Sequence, residues 1–300
     1  MEAQELFRRY ERGERDFSGA DLQNADLRGA ILIGVNFSGA NLTGANLSRA
    51  FLTKSIFNKA LMPRANFSFT KMGETKMADA DLTKANLSGV FMVKSKLPRA
   101  QLSGAILTGA NLRTANLWSA NLCSASMESI NLREANLTGA NLKWTNLYGA
   151  RMGAAKLFGA LLTGVNLRRA YLNGVDLSGA DLSGVNFSEA RLNGANFEGA
   201  NLMVANFSEA MMRGIKLSSA DLTAANLRQA SLVRANLNWS KLCDADLSEA
   251  DLSDATLLGS NLEGADFADA VLPESTRVYF SFVASGTVST LNPQVRSATA

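Results

Sequence analysis

The chain has 300 residues, 47% of them hydrophobic and only 4 of them Pro, a composition that excludes disorder over most of its length. It contains no His, which removes the commonest general base and metal ligand, and its 2 Cys are too few for a disulfide framework. The net charge of +3 hides segregation: residues 49–99 carry ten Lys or Arg against three acidic residues, while residues 244–274 carry nine acidic residues and no basic one.

The first element is a short helix over residues 2–12, with Leu6, Phe7 and Tyr10 on one side and Gly13 just past its end. A helix of about eleven residues is marginal alone, so it is expected to dock on the first coil of the chain behind it. Charged residues stand where a signal peptide needs an apolar core. No stretch reaches the roughly 18 apolar residues of a membrane span. A soluble, cytoplasmic protein in a reducing compartment, with no membrane partner, is the expectation.

From Phe17 to Leu272 every fifth residue is large and apolar: 37 Leu, eight Phe and seven Met in 52 consecutive units. Two residues before it stands Ala in 37 units; one residue before it stands Asn or Asp in 30. Two residues after it lie 20 of the 24 Gly. A period of five fits neither a helical face nor a continuous strand, where an odd step flips each side chain to the other side. The chain must therefore turn once in every unit. Gly at this place suits the third position of a type II turn; where Lys, Arg or Glu replaces it, another turn type is expected.

A longer beat of twenty residues is superimposed. In the column of units beginning at Leu27, 11 of 13 carry the preceding Asn or Asp; in the column beginning at Leu32, three of 13 do. A coil with four distinguishable sides accounts for the difference.

Stretches such as GANLTGANL (residues 39–47) and GADLSGV (179–185) resemble the A(D/N)LXX formula of the pentapeptide-repeat family over residues 15–274. The opening ELFRRYERGERDFSGADL resembles the cap of cyanobacterial members. The resemblance implies an all-β solenoid: a right-handed quadrilateral β-helix of about thirteen coils behind a short N-terminal capping helix. At ~4.8 Å per coil it would form a rod on the order of 60 Å long. The organisation read from the chain is a cap over residues 1–14, the repeat over 15–274, and a C-terminal cap and tail over 275–300. Pro273 closes the array, Val278 to Val283 are candidates to cover its last coil, and the remaining tail is expected to be disordered.

Catalytic chemistry finds little support. Without His the usual triads and histidine zinc sites are absent, and Cys123 and Cys243 lie six coils apart, too far to bond. Glu189, Glu209, Glu249 and Asp269 share one turn column with Gln229 between them, but a ladder on a convex surface has no cleft. The expectation is a non-enzyme without cofactor or metal.

The surface is more informative. The residue preceding each large one should point outward, and in the column beginning at Leu32 it reads Ile31, Phe51, Lys71, Phe91, with Ile33 and Val93 close by. In AFLTKSIFNKALMPRANF (50–67) the usual Asn or Asp is replaced three times running, by Phe51, Ile56 and Leu61, which makes an apolar collar. Exposed apolar patches of this kind mark binding sites. Ile31, Phe51, Ile56, Leu61, Lys71, Phe91 and Val93 are therefore the partner-binding candidates. Trp118, Trp144, Tyr148, Phe158 and Tyr171 form a second, weaker patch.

The resulting expectation is a regulatory or scaffolding rod that binds an unidentified protein partner, with a homodimer also open. The resemblance fits this, since one cyanobacterial member influences heterocyst differentiation through a signalling pathway. It also implies an alternative, DNA mimicry directed at DNA gyrase, but such relatives are acidic along their length. A second alternative is nucleic-acid binding by the basic first third; its cations are spread over several sides, which argues against it.

Overall fold

The computed structural model describes residues 1–274, so the expected cover at Val278 to Val283 and the tail lie outside the described residues. The chain divides into two compact units, Met1–Leu161 and the residues from Leu162 onward.

The first unit opens with helix α1, Ala3–Glu11. Glu5 in its first turn and Arg8 and Arg9 in its last complement the helix dipole. The chain leaves the helix through Gly13 at φ 92°, a conformation glycine adopts without a Cβ penalty. Leu6 is fully buried. The amino terminus donates to the Asp21 carbonyl at 2.6 Å, and the Arg9 guanidinium lies 5.3 Å from the centre of the Phe17 ring.

Behind α1 every coil takes twenty residues. Parallel bridges join residue i to i+20 in four ladders, which define four sides. Side 1 runs Asp16, Asn36, Ile56, Lys76, Lys96, Asn116; side 2 runs Asp21, Asn41, Leu61, Asp81, Gln101. Side 3 runs Asp26, Asn46, Asn66, Asn86, Ile106; side 4 runs Ile31, Phe51, Lys71, Phe91, Asn111. Each unit contributes one bridged residue rather than a longer strand, because its other four residues form the turn.

The hydrogen bonds of one unit explain the sequence formula. Asn66 N–H donates to Ala45 O at 2.9 Å, Phe67 N–H to Asn86 O at 2.7 Å and Phe69 N–H to Ser88 O at 2.9 Å. Thr70 N–H closes the turn onto Phe67 O at 3.1 Å. The fifth donor, Ser68 N–H, goes to the Asn66 side chain at 3.0 Å. The Asn or Asp of the formula thus accepts the one N–H that the backbone ladder leaves over.

In several units without that side chain, the fifth donor finds another acceptor. Asn58 accepts from Ala78 N–H at 2.9 Å one coil on, and Asn173 and Asn193 accept likewise from Asn193 at 3.1 Å and Arg213 at 2.9 Å. Tyr10 of α1 accepts from Ile33 N–H at 3.1 Å. Pro removes the donor altogether: Pro63, Pro98 and Pro273 each stand two residues after a non-Asx residue, Leu61, Lys96 and Val271.

The expected change of turn type does not occur. Every fifth residue from Gly19 to Asp269 has φ between 52° and 71°, including Lys54, Glu74 and even the β-branched Val204. The reason is the ladder: Lys54 N–H donates to Gly73 O and Glu74 N–H to Val93 O, both at 2.9 Å, and only the left-handed conformation aims them there. It costs roughly 1–2 kcal/mol for a non-glycine residue, which the coil-to-coil bonds offset.

Inside, the Leu, Phe and Met column and the Ala column are almost entirely buried. Phe17, Phe37 and Phe57 follow one another at 5.8 and 5.4 Å between ring centres. Where Thr70 or Ser95 replaces Ala, its hydroxyl donates to a carbonyl, of Leu47 or Met72, at 2.8 Å, so the dry interior holds no orphan polar group among the described residues.

The second unit repeats the scheme. One ladder runs Asn166, Asn186, Asn206, Asn226, Asp246, Asp266, and the next Tyr171, Arg191, Met211, Ser231, Asp251, Val271. Phe187 and Phe207 stack at 4.9 Å within its core.

Candidate functional site

Side 4 of the first unit carries the main candidate. Ile31, Phe51, Lys71 and Phe91 are consecutive bridged residues whose side chains point outward, with Ile31 62%, Phe51 36% and Phe91 47% exposed. Lys71 Nζ lies 4.9 Å from the centre of the Phe51 ring, so the cation covers an aromatic face instead of interrupting the stripe. Phe91 reaches back toward Gly73; a Cβ there would meet its ring at 3.7 Å. Ile33 and the half-buried Val93 extend the apolar surface at the adjoining turns.

The structure adds Phe69, absent from the sequence candidates. It occupies a left-handed turn position at φ 58°, is 62% exposed, and stands two residues from Lys71. Its ring lies over Gly89, where a Cβ would come within 2.6 Å. An aromatic residue at a turn position with Gly twenty residues later was the available signal, and Trp239 over Gly259 repeats it. Beside Phe69 lies an open groove of about 740 Å³ that α1 reaches through Phe7, lined also by Arg28, Arg49, Ser48 and Ser68. Arg28 is held by Asp26 at 2.7 and 2.9 Å, and its hydrogen bonds keep the Asp26 carboxyl below its ordinary value. Arg49 has no carboxylate partner among the described residues.

The remaining collar residues do not join this surface. Ile56 is on side 1, only half-exposed, and Leu61 is on side 2, opposite side 4. One flat partner surface therefore touches Phe51 or Leu61, not both.

The second patch is dispersed. Trp118 and Phe158 share one turn column of the first unit, whereas Trp144 and Tyr148 belong to two other turn columns. Tyr171 lies in the second unit, with the Arg191 guanidinium 5.0 Å from its ring centre.

The acidic turn column of the second unit is partly neutralised. Glu189 takes bonds from Arg168 and Arg169 at 2.5 Å, and these hold its carboxyl below the usual range. Glu249 accepts from Gln229 at 2.6 Å and Arg228 at 2.5 Å and is lowered likewise. Carboxylates held ionised by arginine are poor general acids, and the alternation of signs is unlike a uniformly charged duplex. Both cysteines are free and half-buried; burial pushes the Cys243 thiol up, away from a reactive thiolate. The basic residues Arg49, Lys54, Lys59 and Arg64 occupy four successive turns and so face four directions. Among the described residues, no helix is long and apolar enough to cross a membrane and no group of metal-ligating side chains is assembled.

Comparison with known proteins gives one family. Pentapeptide repeats (8 copies) match residues 20–58, 60–97, 95–117, 115–153, 153–188, 180–218, 212–248, 220–257 and 245–275. Among solved structures the chain is similar to HetL, a pentapeptide repeat protein involved in heterocyst differentiation regulation in the cyanobacterium Nostoc sp. strain PCC 7120. The identity is 29% over 90% of this chain and 98% of that one, with a TM-score of 0.29. It is also similar to QnrB1, a plasmid-mediated fluoroquinolone resistance protein, at 18% identity over 79% and 97%, TM-score 0.32. A pentapeptide repeat protein of the Arabidopsis thaliana thylakoid lumen matches at 34% identity over 44% and 85%, TM-score 0.22. No curated protein sequence matches.

Proposed function

Because this chain belongs to the pentapeptide-repeat family, we propose that it is a non-catalytic interaction protein that binds a protein partner through side 4 of its first unit. The finer architecture belongs to the same proposal: a right-handed quadrilateral β-helix of about thirteen coils over residues 15–274, with α1 as its N-terminal cap. Burial of Leu6 and the Tyr10 bond to Ile33 N–H support the capping role. The regulatory or scaffolding character rests on the surface and not on similarity to HetL.

The observation that carries the reading is the stripe itself. Side 4 is where the Asx side chain is given up over four consecutive bridged positions, Ile31 to Phe91, in favour of exposed apolar groups and one cation. At Phe51, Lys71 and Phe91 the replacement forgoes the Asx acceptor for a backbone N–H, and exposed aromatic residues are enriched at protein interfaces. Flat β sides with regular spacing present these groups without prior ordering, which lowers the entropic cost of association.

The test is affinity capture by wild type and by the Phe51→Ser/Phe91→Ser variant, both shown to be folded by circular dichroism. A protein retained by wild type and lost from the variant supports the assignment. Equal retention by both, or loss from a Leu61→Ser control alone, removes side 4 from consideration.

A further inference from the structure

Stacked side chains on a ladder lie about 4.8 Å apart, so like charges at bridged positions repel. The described bridges contain only two like-charged pairs, Lys76 with Lys96 on side 1 of the first unit and Asp246 with Asp266 in the second unit. Elsewhere the fold avoids this, pairing Asp with Asn, as in Asp16 and Asn36, or with Lys, as in Asp221 and Lys241 at 3.2 Å.

We propose that these two faces dock on each other between two copies of this chain. They are of opposite sign. Lys94 stands at the turn beside Lys96, while the turns flanking Lys76 carry Glu74 and Asp79, the latter paired with Arg99 at 2.7 Å; Asp244 and Asp269 stand at turns next to Asp246 and Asp266. Neither member of either pair has an ion-pair partner among the described residues. Asp246 and Asp266 each engage one carboxylate oxygen with a backbone N–H, of Ser248 and Ala268, both at 2.9 Å, and each has a second oxygen to offer.

Register decides for a second copy over an unrelated acidic protein. Both charge ladders are set by the same twenty-residue coil, so their spacings coincide rung for rung, and each lysine meets one carboxylate. Repulsion within each copy becomes attraction between copies, which is electrostatic complementarity in its simplest form. The contact uses neither Phe51 nor Phe91 and stands or falls separately from the partner-binding proposal.

The experiment is sedimentation velocity of the full chain at increasing concentration in about 50 mM and about 500 mM salt, where screening lengths differ several-fold. Expected is concentration-dependent self-association at low salt that weakens at least tenfold at high salt. Lys76→Glu/Lys96→Glu and Asp246→Lys/Asp266→Lys should each remain monomeric alone and associate when mixed. The variants are monitored by thermal melting, since exchanging one like-charged pair for another should leave the fold intact. A monomer under all conditions overturns the proposal. So does self-association that both charge reversals leave unchanged, or a failure of the mixed variants to associate.

Discussion

Leu61 and Pro63 offer a sharp test of why the five-residue formula exists. Asn66 accepts Ser68 N–H at 3.0 Å, whereas two residues after Leu61 stands a proline with no N–H to give. Leu61→Asn alone supplies an acceptor without a donor. Pro63→Ser alone supplies a donor without the side-chain acceptor and loosens the unfolded chain, at a cost of about 0.4–1 kcal/mol. The double variant recreates the Asn66–Ser68 arrangement. Its two changes should therefore be coupled by one net hydrogen bond, about 0.5–1.5 kcal/mol in favour of the pair. The cycle cancels the entropic term of the proline and the lost apolar contact of Leu61, which appear equally on opposite edges. Urea unfolding followed by circular dichroism supplies the four stabilities, with equal m-values as the check that one transition is being compared. A coupling energy indistinguishable from zero would refute the role of the Asn or Asp as acceptor in every unit.

Three further outcomes are expected. Val204, 64% exposed at φ 58°, should give a chain more stable by about 0.5–1 kcal/mol when changed to Gly, since relief of the left-handed strain exceeds glycine's extra unfolded entropy; a loss of stability in the urea midpoint would contradict it. Gly89→Ala should destabilise by about 1–2 kcal/mol, and by measurably less in a Phe69→Ala background, because the new Cβ meets the Phe69 ring as well as the left-handed backbone cost. Asp79, Glu189 and Glu249 are held below their ordinary values chiefly by side-chain hydrogen bonds from Arg99, from Arg168 and Arg169, and from Gln229. Their contribution is therefore complete above the unfolded values of about 3.9–4.3 and is lost as pH falls through the lower folded values, so the melting temperature should drop between about pH 5 and pH 3. Glu189→Gln should flatten that drop, and an unchanged acid profile would show that these carboxylates add nothing.

Much of this molecule is legible in its sequence because one rule repeats. The period of five demands a turn in each unit, and the different Asx content of the columns at Leu27 and Leu32 reveals four sides from the residues alone. The turn type at Lys54 or Glu74 is not legible, since local propensity favours Gly there and a coil-to-coil bond overrides it. The stripe at Ile31, Phe51, Lys71 and Phe91 emerges from the columns, while its neighbours along the chain, Ile56 and Leu61, fall on sides 1 and 2 of the coil. Phe69 is inconspicuous because a turn residue looks solvent-bound until Gly89 is seen one coil above it. The placement of Pro63, Pro98 and Pro273 is plain in the sequence, but its meaning depends on knowing which N–H the Asx side chain accepts.

The central claim, that side 4 of the first unit is the binding face, is tested most directly by placing a photo-reactive residue at position 71, between Phe51 and Phe91, and separately at position 61 on the opposite side. Irradiation in the native cell should give one discrete protein adduct from position 71 and none from position 61. Adducts of equal yield from both positions, or from position 61 alone, would contradict it.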